Sequence, residues 1–363
     1  MKNLLVVIGT RPEAVKMCPL VLELKKRKSF SVKVLATGQH GEVLSSVMRF
    51  FGVVPDYALD VMSAGGTLAD ITEGVMRGVG EVLERESFDA VFVHGDTTSA
   101  FAAALASFYA RVRVCHIEAG LRTHNIREPY PEEFNRAAID ALAEYCFAPT
   151  DRARENLLAE GKPSERIFVT GNTVIDSFAY TVRKDFSHPA LDFAKGKRLV
   201  VITAHRRENL GAMDDMLRGV RRALELFPEY RAVFPVHKNP AVRASADAAF
   251  SGSDIVKLIE PPDVFEFHNL LARASIAITD SGGLQEEAPH FGVPVLVMRN
   301  VTERGEAVDA GTVLLIGNTE ESVFAGICAV LGNGAVREKM ARAQNPFGDG
   351  RASERIADIL EKI

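Results

Sequence analysis

Tryptophan is absent from the 363-residue chain, and cysteine is scarce. The four cysteines are far apart and form no CxxC pair, so neither a thioredoxin-type motif nor a cysteine-ligated zinc site is indicated. These cysteines are Cys18, Cys115, Cys146 and Cys328. We expect them to be reduced core residues, as is usual in the cytoplasm. None of the nine histidines has the HxH or HExxH spacing, and we therefore predict no metal site.

Long apolar runs and an excess of basic charge are also missing. No run approaches the ~20 residues that span a bilayer, and Arg11 and Glu13 interrupt the apolar opening before a full signal peptide develops. The formal net charge is −5 with both signs interspersed, whereas nucleic acids and anionic membranes attract basic faces. We therefore expect a cytoplasmic protein without a nucleic-acid or membrane partner, in which local clusters bind any anion.

Several familiar cofactor and hydrolase motifs do not occur. The turn after the first predicted strand, GTRPE at 9–13, lacks the GxGxxG spacing of dinucleotide sites, and the chain has no Walker sequence. A GxSxG nucleophile elbow and a catalytic-cysteine signature are missing as well. We predict no nicotinamide pocket, no P-loop and no cofactor.

Short apolar runs alternate with longer amphipathic stretches from end to end, which is typical of parallel α/β sheets. The length exceeds the ~250–300 residues at which single cores stop growing, so two domains are expected. The predicted strands are 4–8, 32–37, 90–94, 112–117, 145–148 and 167–170, then 199–203, 231–236, 255–259, 276–279, 293–297 and 312–315.

The segment 174–197 interrupts this alternation and has the composition of a linker between two domains. We predict two Rossmann-like parallel-sheet domains, 1–175 and 176–363, that face a central cleft where ligands bind. The closing amphipathic helix, 351–363, is a candidate to pack back on the N-terminal domain.

Polar clusters follow the predicted strands of the first half. Arg11 and Lys16 would flank a helix N-terminus and could bind a diphosphate, although two solvated cations are the simpler explanation of these residues taken alone. Asp96, Glu118 and Glu132 follow neighbouring strands, and clustered carboxylates can raise one pKa toward acid or base duty. Helix capping is the simpler explanation of Asp96 alone. Together the three carboxylates favour general acid/base chemistry.

The second half holds an anion-binding pattern. Residues 203–209 and 235–240 follow strands and concentrate positive charge. At 280–283 a DSGG turn joins a strand to a helix that carries Gln285, Glu286 and Glu287. Free N–H groups at that turn suit phosphate, and a carboxylate one turn later suits a ribose diol. An ordinary turn with two solvated glutamates is the alternative interpretation.

Taken in order, these clusters resemble one family. The motifs are GTRPE at 9–13, TGQH at 37–40, HGDT at 94–97, HIEAGLRT at 116–123, PEE at 131–133, GNTVID at 171–176, HRRE at 205–208, PVH at 235–237, DSGG at 280–283, QEEAP at 285–289 and NPFGDG at 345–350. From residue 4 to the C-terminus the chain closely resembles the non-hydrolysing UDP-N-acetylglucosamine 2-epimerases. The resemblance implies the two-domain fold of the B-type glycosyltransferases, a homodimer without nicotinamide, and interconversion of UDP-N-acetylglucosamine and UDP-N-acetylmannosamine for envelope polysaccharides.

The resemblance also implies roles for individual positions. The mechanism it implies is anti elimination of UDP to 2-acetamidoglucal, followed by syn re-addition of UDP. The residues that match catalytic positions are Asp96, Glu118, Glu132 and His205. The residues that match substrate-binding positions are Arg11, Lys16, Phe267, Ser281, Gly282, Glu287 and Arg304. Some members bind a second UDP-N-acetylglucosamine as an activator, and the positions that match this pocket are Gln39, His40, Glu132, Arg206 and His237.

Three departures from the family pattern leave allosteric activation open. Gly305 replaces the usual proline after Arg304, His290 replaces a small residue, and Gly65 with Gly66 replaces a segment that supplies an activator contact in some members. Four alternatives to the epimerase remain at this stage: a B-type glycosyltransferase, an epimerase of a related nucleotide sugar, a hydrolysing epimerase, and an inactive UDP-sugar binder.

Overall fold

The computed structural model describes residues 1–38, 41–61 and 66–363. The chain divides into two units, each with its own core. The first unit comprises Met1–Tyr180 together with Phe347–Ile363, and the second comprises Thr181–Pro346. The last residues of the chain therefore belong to the first unit.

The sheet of the first unit has seven parallel strands within the described part of the chain, in the order β3-β2-β1-β4-β5-β6-β7. The strands are β1 (Lys2–Ile8), β2 (Phe30–Ala36), β3 (Tyr57–Ala58), β4 (Ala90–His94), β5 (Arg113–Ile117), β6 (Tyr145–Ala148) and β7 (Ile167–Val169). The strand order reverses between β1 and β4, which is where parallel α/β sheets bind ligands.

The described residues up to Thr181 form seven α-helices. These are α1 (Arg11–Lys26), α2 (Gly41–Phe50), α3 (Leu68–Arg85), α4 (Thr98–Tyr109), α5 (Glu132–Leu142), α6 (Asp151–Ala159) and α7 (Thr173–Thr181). A 3₁₀ turn occupies Ser164–Arg166. Threonine side chains begin α1, α4 and α6 by accepting backbone N–H groups, because a Thr hydroxyl satisfies a donor that the first helical turn leaves unpaired.

The second unit repeats the pattern with six parallel strands, counted over its described residues, in the order β10-β9-β8-β11-β12-β13. The strands are β8 (Arg198–Thr203), β9 (Tyr230–Pro235), β10 (Val256–Ile259), β11 (Ile276–Thr279), β12 (Val295–Val297) and β13 (Val313–Leu315). The helices are α8 (Pro189–Phe193), α9 (Met213–Glu225), α10 (Pro240–Phe250), α11 (Val264–Leu271), α12 (Gly282–Glu287), α13 (Gly305–Asp309), α14 (Glu320–Leu331) and α15 (Gly334–Arg342), with 3₁₀ turns at Arg207–Ala212 and Ala288–Phe291.

The chain then returns to the first unit with α16 (Ala352–Lys362). The carboxylate of Asp176 accepts the N–H groups of Ala352 at 3.1 Å and Ser353 at 2.6 Å, so it caps the start of α16. At the other end the Lys2 ammonium donates to the carbonyl of Leu360 at 2.6 Å. The C-terminal helix is thus fixed to the first unit at both ends.

Both central strands, β1 and β8, are almost continuously buried and apolar, since helices cover both faces of a parallel sheet. The predicted fold class, two parallel-sheet α/β domains, is confirmed. The twelve predicted strands are present with ends within two residues of those predicted. The two-residue strand β3 was missed because it is too short for a periodic signal. Among the described residues, no helix is long and apolar enough to cross a membrane.

Substitutions at two glycines of the first unit allow the cost of backbone strain to be measured apart from the cost of a steric clash. Gly120 has φ +86 and Gly161 has φ +85, and both angles disfavour a side chain. A Cβ at Gly120 would lie 2.2 Å from the carbonyl oxygen of Ala153, whereas a Cβ at Gly161 would meet nothing within 4 Å.

We therefore expect Gly161→Ala to lower the free energy of unfolding by about 1 kcal/mol. Gly120→Ala should lower it by roughly 1–3 kcal/mol more, because the backbone must also move. Urea unfolding followed by circular dichroism measures both variants. Equal losses in the two would contradict the close approach at Gly120.

Candidate active site

The residues singled out in the first unit follow β1, β4 and β5, which are adjacent in the sheet. Their carboxyl ends lie at one edge, so the loops that follow them come together. Lys16 and Glu118, which are 102 positions apart in the chain, form an ion pair there. The predicted grouping of these loops is thereby observed.

Glu118 is the centre of the first-unit cluster. The residue directly follows β5 and adopts φ +66, an uncommon backbone conformation for a residue with a side chain. Its Oε2 pairs with the Lys16 ammonium and accepts a hydrogen bond of 2.7 Å from Nδ2 of Asn172. The Nε2 of His94 lies 3.7 Å from the same oxygen. Burial lowers the pKa of His94 to about 3, although Glu118 opposes the shift, so this imidazole is neutral at pH 7.

Asp96 lies on the neighbouring loop, and its side chain is 28% exposed. Its Oδ2 accepts a hydrogen bond of 2.6 Å from Arg136. Burial raises the pKa of Asp96, Arg136 lowers it, and the nearby charges of Glu118 and Glu132 raise it again, with a net upward shift. The three predicted carboxylates therefore act on one another electrostatically, as the sequence indicated.

Glu132 begins α5, and its Oε2 is a buried oxygen without a hydrogen-bond partner among the described residues. Glu132 and Arg136 have the i, i+4 spacing that allows an ion pair on one helix face. In the structure Arg136 instead contacts Asp96 and lies 3.4 Å from Glu133. Glu132 is thus left as an available acceptor or acid beside Asp96.

Glu13 connects two of these loops. Its Oε2 accepts the N–H groups of Gly9 and Thr10, both at 2.6 Å, and its Oε1 accepts the hydroxyl of Thr97 at 2.6 Å. Since Thr97 directly follows Asp96, this buried carboxylate joins the end of β1 to the loop that carries Asp96. Burial raises the pKa of Glu13 to about 7, against the lowering effect of the three donors.

A second buried network joins the loops after β4 and β5. The ring of His116 bonds to the carbonyl of Gly95 at 2.7 Å and to Asp140 at 2.6 Å. Asp140 also accepts the N–H of Gly120 at 3.1 Å and Arg122 at 2.7 Å. Burial raises the pKa of Asp140, but His116 and Arg122 outweigh it and the net shift is downward, so its carboxylate is charged at pH 7.

The two predicted cations of the first unit differ in position. Lys16 is mostly buried against Glu118, whereas Arg11 is exposed at the start of α1. Lys16 is therefore not a solvated cation, whereas Arg11 is exposed, as the solvated-cation interpretation predicts. Gln39 and His40, two of the predicted activator residues, lie outside the described residues.

In the second unit, buried Asp280 organises the loop after β8. Its carboxylate accepts the N–H groups of His205 at 3.0 Å and Arg206 at 2.9 Å, and the side-chain amide of Asn209 at 3.3 Å. The His205 ring stacks on His237 with centroids 5.6 Å apart. Burial lowers the pKa of His205, Asp280 opposes the shift, and Arg206 adds to it. The predicted catalytic and activator residues of this unit are thus neighbours.

Arg304 lies beside the DSGG turn and is held by two carboxylates. Its Nε donates to Glu286 at 2.8 Å, and its Nη1 pairs with Glu303. A Cβ on Gly282 would lie 2.7 Å from Arg304 Nη1, so the turn needs glycine to let the guanidinium approach. Burial raises the pKa of Glu303, but Arg304, Arg299 and other charges lower it to about 2.

The remaining predicted nucleotide residues lie near this turn or on α11. Ser281 precedes α12, and its N–H donates to the hydroxyl of Thr279 at 2.8 Å. Glu287 lies 3.9 Å from the buried ring of His268, and the adjacent Phe267 packs against a small core cluster. The alternative of two solvated glutamates is wrong, because Glu286 is buried and Glu287 is largely so.

Several contributors were not singled out from the sequence. Glu13 had a readable signal, since Thr10-x-x-Glu13 is a capping-box spacing. The contacts of Asn172 with Glu118 and of Arg136 with Asp96 had no local signal, because these partners are set by the tertiary fold. Glu303 did have one, since it lies four residues after Arg299 and next to Arg304. No group of three or more potential metal ligands is found among the described residues.

Comparison with known proteins identifies the relatives of this chain. A family model described as UDP-N-acetylglucosamine 2-epimerase matches residues 22–361. The UDP-N-acetylglucosamine 2-epimerase of Bacillus subtilis is 48% identical over 359 residues, covering 99% of this chain and 94% of that protein.

Solved structures agree with the sequence match. UDP-GlcNAc 2-epimerase from Neisseria meningitidis bound to UDP-GlcNAc superposes with a TM-score of 0.91 at 40% identity, covering 99% of this chain and 100% of that chain. S. aureus MnaA with UDP gives 0.92 at 42% identity, covering 99% and 96%. A kitacinnamycin glycosyltransferase, at 14% identity with a TM-score of 0.70 over 99% and 98% of the two chains, shares the fold.

The buried Glu13 predicts a pH-dependent stability. Because its pKa rises from 4.5 to about 7 on folding, the folded state binds the proton more tightly, and this group destabilises the fold increasingly as pH rises from 4.5 to 7. Glu13→Gln imitates the protonated form. We expect wild type to lose about 3 kcal/mol relative to Glu13→Gln between pH 4.5 and 8.

Urea unfolding of both proteins at a series of pH values measures this difference. Subtracting the two curves cancels the contributions of the buried histidines, which are common to both. Parallel curves across the range would refute the expectation.

Proposed function

Because the chain belongs to the UDP-N-acetylglucosamine 2-epimerase family of isomerases, we propose that it interconverts UDP-N-acetylglucosamine and UDP-N-acetylmannosamine by eliminating and re-adding UDP. The carboxylate cluster of Asp96, Glu118 and Glu132, beside Lys16 and Arg136, carries the proposal. Three interacting carboxylates are more than simple transfer of a sugar requires, whereas proton removal and return at one carbon needs a base on one face and an acid on the other.

The chemistry needs two kinds of assistance. The hydrogen at sugar C2 is not acidic in the nucleotide sugar, so a base removes it while the C1–O bond to UDP breaks, giving 2-acetamidoglucal in an anti elimination. An oxygen of UDP then re-forms the C1–O bond in a syn addition, while an acid returns a proton to the opposite face of C2. Atoms and electrons balance without an oxidant, which agrees with the predicted absence of a cofactor.

The environments of the carboxylates support a division of labour. Glu118 is surrounded by the donors Lys16 and Asn172, which suit an unprotonated carboxylate that accepts the C2 proton. Asp96 has a raised pKa, which suits a group that holds the proton to be returned, and the Glu132 side chain lies near it. The roles exchange when the reaction runs in reverse.

The second unit supplies groups suited to the leaving nucleotide. We assign Ser281, Gly282 and Arg304 to the diphosphate, since N–H donors and a guanidinium stabilise the charge that develops as UDP departs. Glu287 is assigned to the ribose diol and Phe267 to the uracil. These positions match the family motifs, and the UDP-bound relative supports a nucleotide ligand.

By the same match His205 is assigned a catalytic role, and Arg11 and Lys16 are assigned to the diphosphate and sugar. Arg206 and His237 lie beside His205 and remain candidates for a second UDP-N-acetylglucosamine. A homodimer stays a prediction, which light scattering of the purified protein would check.

Proton NMR of the protein with UDP-N-acetylglucosamine in deuterated water tests the proposal directly. We expect UDP-N-acetylmannosamine with deuterium at C2, because solvent supplies the returned proton. Free N-acetylmannosamine with UDP would indicate the hydrolysing reaction instead. An unchanged substrate would refute epimerisation of this sugar and favour a glycosyltransferase, an epimerase of another sugar, or a binder.

Single substitutions test the assignment of the carboxylates. Asp96→Asn and Glu118→Gln should each lower kcat by about 10²–10⁴-fold, since positioned acids and bases contribute this much. Glu155→Gln, at an exposed position on α6, is the matched control and should retain the full rate. Full activity in a folded Asp96→Asn or Glu118→Gln protein would remove that residue from the mechanism.

A further inference from the structure

Asn172 is the uncharged donor to the Glu118 carboxylate, and its position is unusually well defined. The side chain is 2% exposed, and its Nδ2 lies 2.7 Å from Oε2 of Glu118. The two residues are 54 positions apart, on the loops that follow β7 and β5. The pairing therefore depends on the fold of the whole first unit.

The orientation of the Asn172 amide is set by the start of α7. Its Oδ1 accepts the N–H of Val174, the second residue of that helix, at 3.0 Å. This is the position of a helix N-cap, which asparagine fills well. Because the oxygen is committed to the helix, the NH₂ group must face Glu118, and exchange of the two amide atoms would place oxygen against the carboxylate.

The backbone of Asn172 is held by the returning C-terminal segment. Its N–H donates to the carbonyl of Phe347 at 2.7 Å. Gly171 and Gly348 make this approach possible, because a Cβ at Gly171 would lie 3.2 Å from the Phe347 oxygen and a Cβ at Gly348 would lie 3.2 Å from Gly171 Cα. Asp176, four residues after Asn172, caps α16 of the same segment.

We propose that Asn172 is a positioning residue for the reaction, whose amide fixes the Glu118 side chain and maintains it as the unprotonated carboxylate. This inference rests on the proposed function, because it assumes that Glu118 accepts the C2 proton. Lys16 supplies the charge that attracts the carboxylate, while Asn172 adds a directional N–H donor that holds its Oε2 in place. The C-terminal segment supports the arrangement through Phe347.

Asn172→Asp is the sharpest test, because aspartate also caps a helix and has nearly the same volume. The substitution replaces the donor with an anion against Glu118, so the pair would retain one proton to higher pH. We expect kcat at pH 7 to fall at least tenfold with KM within about threefold. The acid limb of the pH profile of kcat should move up by at least about 1 pH unit.

Asn333→Asp provides the matched control. Asn333 caps α15 through the N–H groups of Ala335 and Val336 in the second unit, so the same change is made at a helix cap outside the carboxylate cluster of the first unit. Its rate and pH profile should equal those of wild type. Asn172→Ser keeps a capping oxygen but removes the amide donor, so it should also lower kcat. It should move the acid limb of the pH profile of kcat less than Asn172→Asp does, because it adds no negative charge.

An unmoved acid limb in Asn172→Asp, or wild-type kinetics in Asn172→Ser, would overturn the inference. A loss of rate that follows only a fall in Tm would overturn it too, because that pattern indicates a structural cap alone. If Asn172→Asp does not fold, Asn172→Ser decides by the same kinetic readouts. Wild-type protein that leaves UDP-N-acetylglucosamine unchanged would instead reject the proposed function, so the two failures are distinguishable.

Discussion

In each of the two units, buried carboxyl groups that accept backbone N–H groups hold the loops that follow the central strands. Glu13 binds the N–H groups of Gly9 and Thr10, and Asp280 binds those of His205 and Arg206. Asp140 does the same for Gly120. Parallel strands leave such groups unpaired where the chain turns from strand to helix, and an unpaired buried donor is costly. These carboxyl oxygens satisfy the donors and fix the loops that carry the proposed catalytic side chains.

Different surroundings shift the pKa values of chemically similar groups in opposite directions. Asp96 has a raised pKa because burial and two neighbouring carboxylates outweigh Arg136, whereas Glu303 has a lowered pKa because several arginines outweigh burial. Histidines His94 and His205 are both shifted toward the neutral form by burial. The first unit thus contains a carboxyl group that binds its proton more tightly than usual, and the second contains a carboxylate held charged among arginines.

Sequence alone predicted most of the architecture, because strands buried on both faces give continuous apolar runs that stand out between amphipathic helices. It also placed Asp96, Glu118 and Glu132 on neighbouring loops, since the ends of parallel strands share an edge. The sequence did not predict contacts that depend on how distant side chains are oriented in the fold. The Arg136 contact with Asp96 and the Asn172 contact with Glu118 join residues 40 and 54 positions apart, and no local pattern encodes them. The burial of Glu286 likewise depends on Arg304, which arrives from another loop.

The return of the C-terminal segment has a consequence for biosynthesis. The carbonyl that binds the backbone of Asn172 belongs to Phe347, and α16 completes the first unit only after the second unit has been translated. At 5–20 residues per second a ribosome needs roughly 9–35 s to synthesise the intervening chain. The nascent N-terminal half must therefore wait in an incomplete state, with the Asp176 carboxylate and the α1 surface uncovered.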